Sequence, residues 1–139
     1  MKRLRLILLT SIILVFMFWL YTIPSAYADT LEVLPIDHYF GDVEVGTKVT
    51  TIVSMTNING SDVEVYGLGF QAGSSGDFSL ANSPPVPFIV VPGETVDVEV
   101  AFSPSAAGYV TAVLEIESTD SLNPYQYVFF GGVGMDTQP

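Results

Sequence analysis

The stretch FSPSAAGYVTAVLEIESTD, residues 102–120, decides the fold. Its first half places Pro104 and Gly108 in a short polar run, the composition of a turn. Its second half alternates, with Val110, Ala112, Leu114 and Ile116 on one face and Thr111, Glu115 and Glu117 on the other. This period of two is typical of a β-strand with one buried face. The serines and carboxylates of the stretch therefore predict a strand entered through a turn, rather than a reaction site.

The chain after residue 28 repeats this pattern in short segments. Alternating or β-rich runs cover residues 31–36, 48–56, 62–70, 78–80 with 88–91, 96–102 and 125–130. Clusters of glycine, proline and asparagine separate them. Within 62–70 the alternation changes phase near Gly67 and Gly69, which predicts a β-bulge or an edge kink. The pattern as a whole predicts an all-β, immunoglobulin-like antiparallel β-sandwich of seven to eight strands.

The N-terminus has the layout of a secretory signal peptide. Three basic residues, a long apolar run and Pro24 are followed by Ala26 and Ala28, the small residues that precede a cleavage site. We predict a signal-peptide helix over residues 1–28 and one immunoglobulin-like domain over residues 29–139. The protein would be secreted or periplasmic, through the general secretory route of a bacterium. The alternative is an uncleaved anchor, because the apolar run is about 20 residues long.

Charge and cysteine content exclude several classes of protein. The chain has 15 acidic residues, four basic residues and no cysteine. All the acidic residues follow Ala28, whereas Lys48 is the one lysine or arginine after Ala28. Residues 29–139 therefore carry a formal charge of −14, from one positive and fifteen negative charges. This charge disfavours nucleic acids and anionic lipids, and it favours a basic protein partner or a saline habitat. Without disulfides, the fold must be stabilised by its hydrophobic core.

Eight short motifs occur in an order that points to a known family. They are Phe40-Gly41-Asp42-Val43, Val45-Gly46-Thr47, Met55-Thr56-Asn57, Asp77-Phe78-Ser79-Leu80, Val91-Pro92-Gly93-Glu94, residues 102–108, Ser118-Thr119-Asp120 and Gly132-Val133-Gly134. Together they resemble the ASH (abnormal spindle/hydin-like) family, known in bacterial proteins as the choice-of-anchor D domain and related in fold to the major sperm protein and PapD-like sandwiches. The resemblance covers about residues 34–134 and implies a non-catalytic binding or scaffolding module. Gly41, Gly46, Gly93 and Gly108 would allow tight turns or positive φ at strand entries.

Candidate catalytic residues are few. A serine nucleophile such as Ser103 or Ser105 needs a base within hydrogen-bond reach, and His38 is the one histidine of the chain. We expect His38 to lie in a loop beside a turn at Phe40-Gly41, and we predict no enzymatic activity and no catalytic residue.

Calcium is the metal ion to consider, because the chain is rich in carboxylates and lacks cysteine. The loop 118–123, with Asp120, is the best candidate, yet its residues match a turn of the ASH family. The other candidates are expected to be solvated, mostly on outer strand faces: Asp77, Asp97, Glu99, Glu115 and Glu117. We therefore predict no metal site and no cofactor.

The last predicted strand offers the best candidate for a binding surface. If Val128 and Phe130 face the core, Tyr125, Tyr127 and Phe129 form an outward aromatic stripe. Such a stripe either packs against neighbouring strands or contacts a partner, and tyrosines suit interfaces because they bury area while keeping a polar tip. We predict an exported, non-catalytic protein-interaction or structural module. A calcium- or glycan-binding adhesion module and a periplasmic chaperone-like peptide binder are the alternatives.

Overall fold

The computed structural model describes residues 30–137, which form two packed β-sheets. The strands are β1 Leu31–Leu34, β2 Asp37–Glu44, β3 Val49–Asn57, β4 Val63–Phe70, β5 Phe78–Asn82, β6 Phe88–Val90, β7 Thr95–Phe102, β8 Gly108–Ser118 and β9 Tyr125–Met135. Sheet A has the order β1-β3-β7-β5 and sheet B the order β2-β9-β8-β4-β6. The described residues include no helix that could span a membrane. The predicted signal peptide, with Ala26 and Ala28, lies outside the described residues.

The all-β prediction is confirmed, but the strand count and the strictly antiparallel arrangement were wrong. Nine strands are present in residues 30–137, and β2 runs parallel to β9. The additional strand is β2, because residues 37–44, where the sequence analysis expected a loop and a turn, form a strand of sheet B. β1 pairs with β3 in sheet A, the chain passes through Pro35 and Ile36, and β2 then joins sheet B. Proline has no N–H for a ladder, which favours the break at this point.

The predicted turn at Phe40-Gly41 is a β-bulge inside β2. The register against β9 shifts between Tyr39 and Asp42, and Gly41 has a φ of 75°. A glycine adopts this left-handed conformation without steric cost, so β2 can bend and continue. The other three glycines of this kind, Gly46, Gly93 and Gly108, also have a positive φ.

The bulge predicted in β4 is confirmed. Its register against β8 shifts between Val65 and Gly67, where one extra residue is inserted. Because the insertion reverses the side-chain parity, Val63 and Val65 are buried before it while Leu68 and Phe70 still pack against the core after it.

Four phenylalanines join the two sheets in place of a disulfide or a tryptophan. Phe102 is fully buried, and its ring centroid lies 4.7 Å from that of Phe78 and 5.5 Å from that of Phe40. The Phe130 ring of sheet B lies 6.2 Å from Phe40 and 6.3 Å from Phe78. These distances suit offset or edge contacts between aromatic rings.

The Gly132-Val133-Gly134 motif makes room for this cluster and for the β7–β8 loop. A Cβ at residue 132 would lie 2.8 Å from Cζ of Phe102 and closer still to Cε1. A Cβ at residue 134 would overlap the carbonyl oxygen of Ala106 and lie 2.9 Å from Cβ of Pro104. The motif is therefore explained by close packing across the sandwich.

The buried carboxylate of Asp120 connects the sheets at one end of the sandwich. Its Oδ2 accepts a hydrogen bond from the N–H of Leu31 at 2.8 Å, and its Oδ1 accepts from the N–H of Leu122 at 2.9 Å and of Asn123 at 3.3 Å. Oδ2 thus gives the buried Leu31 N–H a partner, and Oδ1 holds the turn at Leu122 and Asn123. The role of this loop, the best calcium candidate of the sequence, is structural here. Within residues 30–137 no group of three or more His, Asp or Glu side chains could hold a metal ion.

The Phe102–Gly132 contact gives a stability prediction. Gly132→Ala should lower the free energy of unfolding by about 1–3 kcal/mol, because the new methyl group overpacks a rigid aromatic cluster. Urea unfolding measures the loss. Gly69→Ala is the matched control, since a Cβ there meets nothing within 4 Å. Equal stability of the two variants would contradict the packing account of the motif.

Candidate partner-binding face

The predicted aromatic stripe of β9 lies on the outer surface of sheet B. Val128 and Phe130 are buried, with 0% and 3% of their surface exposed. The alternate residues Tyr125, Tyr127 and Phe129 are 53%, 40% and 55% exposed. About half of each aromatic ring system is thus available for contact, although the residues belong to a central strand.

Neighbouring strands place two glutamates and two glycines beside the stripe. On β8, Glu117 pairs with Tyr125 and Glu115 pairs with Tyr127. On the far side of the glutamates, β4 contributes Gly67 and Gly69. Gly67 leaves space for the Glu117 carboxylate, since a Cβ there would lie 2.7 Å from Oε1 of Glu117. A shallow, acidic groove of about 270 Å³ runs between β4 and β8 as a result.

Glu115 is held by polar contacts on both sides. Its Oε2 accepts a hydrogen bond from Nε2 of Gln71 at 2.7 Å, and it is also hydrogen-bonded to the hydroxyl of Tyr127. Loss of hydration raises the pKa of Tyr127 above the ordinary tyrosine value, and the charge of Glu115 and this hydrogen bond raise it further. Loss of hydration also raises the pKa of Tyr66, followed by the influence of Tyr125 and Glu117. Tyrosine and carboxylate groups therefore form one electrostatically linked surface.

Three further tyrosines extend the stripe across sheet B. Tyr39 of β2, Tyr66 of β4 and Tyr109 of β8 are each exposed. We call the set the aromatic face: Tyr39, Tyr66, Tyr109, Tyr125, Tyr127 and Phe129.

The sequence analysis missed these three tyrosines for different reasons. Tyr39 lies between the predicted strand 31–36 and the predicted turn at Phe40-Gly41, and Tyr66 lies where the bulge reverses the parity of β4. Tyr109 could have been found, because it has the same parity as Thr111, the first outward residue of the strand predicted from the opening stretch.

The outer face of sheet A is different in character. Polar side chains on this face form hydrogen bonds with one another. Oγ of Ser54 donates to Oδ1 of Asp97 at 2.7 Å, and the hydroxyls of Thr56 and Thr95 lie within hydrogen-bond distance, 2.8 Å apart. Cross-strand polar pairs of this kind stabilise a solvated sheet. The aromatic rings are thus concentrated on one of the two outer surfaces.

The candidate hydrolase residues are engaged elsewhere. His38 lies within β2 rather than in a loop, and its ring makes an edge contact with Phe40 at a centroid distance of 4.6 Å. The hydroxyl of Ser103 donates to the carbonyl oxygen of Thr47 at 3.0 Å. Neither contact directs an imidazole at a serine hydroxyl, which a nucleophile–base pair requires.

Comparison with known proteins supports the fold and its family. The family model described as ASH, abnormal spindle-like microcephaly-associated, ASPM-SPD-2-Hydin, matches residues 33–125. The chain is similar to the ASH/PapD-like domain 7 of human CEP192, with a TM-score of 0.62 and 15% identity over 78% of this chain and 87% of that one. A search of curated proteins found no match.

Two other similar structures belong to larger proteins. The VesB protease of Vibrio cholerae gives a TM-score of 0.63 and 18% identity over 74% of this chain and 31% of that chain. The class 5 fimbriae chaperone CfaA gives a TM-score of 0.51 and 11% identity over 77% of this chain and 57% of that chain. The chain thus spans about a third of VesB. At these identities the comparisons show the fold, an immunoglobulin-like, PapD-like sandwich. The matched family segment ends at residue 125, so most of the β9 stripe lies beyond it.

The contact between Tyr127 and Glu115 gives a prediction about ionisation. Glu115→Gln should lower the pKa of Tyr127, because it removes a negative charge that favours the protonated phenol. Titration of ¹³Cζ-labelled tyrosine by NMR measures the shift. Glu99→Gln, on the outer face of sheet A, is the control and should leave the pKa of Tyr127 unchanged. An unchanged pKa in Glu115→Gln would contradict the proposed coupling.

Proposed function

The chain belongs to the ASH family, whose domains are non-catalytic protein-interaction modules, and on that premise we propose that it is an exported, non-catalytic module that binds a basic protein partner through the aromatic face. The single observation that carries this proposal is the concentration of six exposed aromatic side chains on the outer surface of one sheet.

The composition of the aromatic face supports a protein partner. Exposed tyrosines provide a large contact area at a low cost in side-chain entropy, and their hydroxyls can find polar partners. Aromatic residues are enriched at interfaces relative to the rest of a protein surface. The polar outer face of sheet A lacks this composition in the part of the chain that is described.

The charge of the aromatic face supports a basic partner. Glu115 and Glu117 lie among the tyrosines, and Lys48, in the β2–β3 connection, is the only lysine or arginine of residues 30–137. Complementary charge steers a basic surface toward this face and disfavours acidic competitors. The proteases among the similar structures give no reason to propose catalysis, because VesB is matched over only 31% of its length.

Export is part of the proposal, and the features of residues 1–28 support it. We predict that the exported protein begins at Asp29 after cleavage behind Ala28. Intact-mass spectrometry of the envelope and medium fractions measures this directly. A species that retains residues 1–28 would contradict cleavage and favour a membrane-anchored form.

The binding role is tested by photo-crosslinking from two matched positions. A photoreactive amino acid replaces either Phe129 on the aromatic face or Ile52 on the outer face of sheet A, both of which are about half exposed. We expect a discrete crosslinked partner, rich in lysine or arginine, from position 129 in the native envelope and none from position 52.

The same experiment is repeated with Tyr125→Ser plus Tyr127→Ser, and with Ile52→Ser as the control variant. The double variant should lose the crosslink at position 129, because two of the contacting rings are removed. Its circular dichroism should match that of the parent, since both side chains are exposed. Retention of partner and oligomeric state in a folded double variant would refute binding through the aromatic face.

A further inference from the structure

A depression in the aromatic face lies beside Gly131 of β9. Gly131 pairs with Tyr39 of β2 on one side and with Thr111 of β8 on the other. Phe129 precedes it on the same face of β9. The depression has a volume of about 410 Å³, and Asp37 and Tyr109 also line it. We call it the Gly131 pocket.

The absence of a side chain at Gly131 lets the Tyr109 ring lie against β9, where it lines this pocket. Because Phe130 and Gly132 face the core, residue 131 faces outward. A Cβ at this position would lie 3.0 Å from the hydroxyl oxygen and 3.4 Å from Cε2 of Tyr109, which leans across the floor. Gly131 does not have a positive φ, so its backbone conformation does not require glycine. A larger residue at this position would therefore displace the Tyr109 ring that lines the pocket.

Carboxylates flank the aromatic wall of the pocket. Asp37 pairs with Phe129, Tyr39 with Gly131 and, beyond the bulge, Asp42 with Val133. Asp37 and Asp42 are both exposed on either side of Tyr39 along β2. An anion such as a phosphate would be repelled here, whereas a cation would be attracted to the carboxylates and to the aromatic rings.

We propose that the Gly131 pocket binds the guanidinium group of an arginine side chain of the protein partner, an inference that rests on the proposed function. A guanidinium group is planar and weakly hydrated, so it can stack on an aromatic ring while it donates hydrogen bonds to a carboxylate. A lysine ammonium is a compact, strongly hydrated charge and gains less in a shallow, open site. Tyr39, Tyr109 and Phe129 supply the rings, and Asp37 supplies the carboxylate.

The test is an NMR titration with a small probe, so that it does not depend on knowing the partner. The ¹⁵N-labelled protein is expressed from the full sequence and purified in the form that the host produces. The probes are the N-acetyl, N-methylamide derivatives of arginine, lysine and citrulline, of which citrulline is the neutral isostere of arginine. We expect saturable shifts of the Gly131, Thr111 and Tyr39 amides with arginine, in the millimolar range. The citrulline probe should bind at least about fivefold more weakly, because it lacks the charge that the rings and Asp37 recognise.

Variants locate the binding in the pocket. Gly131→Val should abolish the arginine shifts, whereas Gly69→Ala, a substitution in open space on the same sheet, should retain them. Tyr39→Leu removes an exposed ring without touching the core and should weaken binding, while Tyr39→Phe should preserve it. If Gly131→Val fails to fold, the two Tyr39 variants still decide the test, because the Tyr39 side chain is exposed.

The outcomes separate this inference from the proposed function. Equal binding of arginine and citrulline, arginine shifts that survive both Gly131→Val and Tyr39→Leu, or no saturable shift at all would overturn the arginine pocket. If the crosslink from position 129 persists in that case, the aromatic face still binds a partner by other contacts. If arginine binds but no partner crosslinks, the assignment of the arginine to a protein partner fails.

Discussion

The contact between the Phe102 ring and Gly132 is the constraint on which the rest of the structure depends. Phe102 ends the central strand β7 of sheet A and is fully buried, and Gly132 is the point of sheet B where no side chain opposes it. With no cysteine in the chain, no disulfide can hold the sheets, so close packing around the phenylalanine cluster must do so. The backbones can approach here only because residue 132 is glycine.

This contact also determines what the outer surface of sheet B presents. Successive side chains of a strand point to opposite faces, so placing Gly132 and Phe130 inward places Gly131, Phe129 and Tyr127 outward. A slip of one residue would bury the tyrosines and expose Phe130. The core packing and the aromatic face are therefore two results of a single register. The two consecutive glycines act on opposite faces, since Gly132 admits the Phe102 ring on the inner face and Gly131 admits the Tyr109 ring on the outer face.

Sequence reasoning predicted those parts of the molecule that depend on local alternation. It gave the buried faces of β7, β8 and β9, the bulge near Gly67 and the outward orientation of Tyr125, Tyr127 and Phe129. It did not give β2, because the parallel pairing of β2 with β9 is a long-range choice that local periodicity does not encode. The pocket was missed for the same reason: Tyr39, Tyr109 and Gly131 are adjacent only through the register of three strands.

On the proposed function, the carboxylates on the aromatic face would make it selective for a basic partner. An exposed aromatic surface of this kind would ordinarily favour association between copies of the same chain. Two copies meeting through this face would bring Glu115, Glu117 and Asp37 of each close together, and the like charges would oppose pairing as the surface lost water. A basic partner would instead compensate the same charges. Adaptation to salt requires only solvated carboxylates, whereas Glu115 is held by Gln71 and Tyr127 within the contact surface. Its position therefore favours a role in choosing the partner.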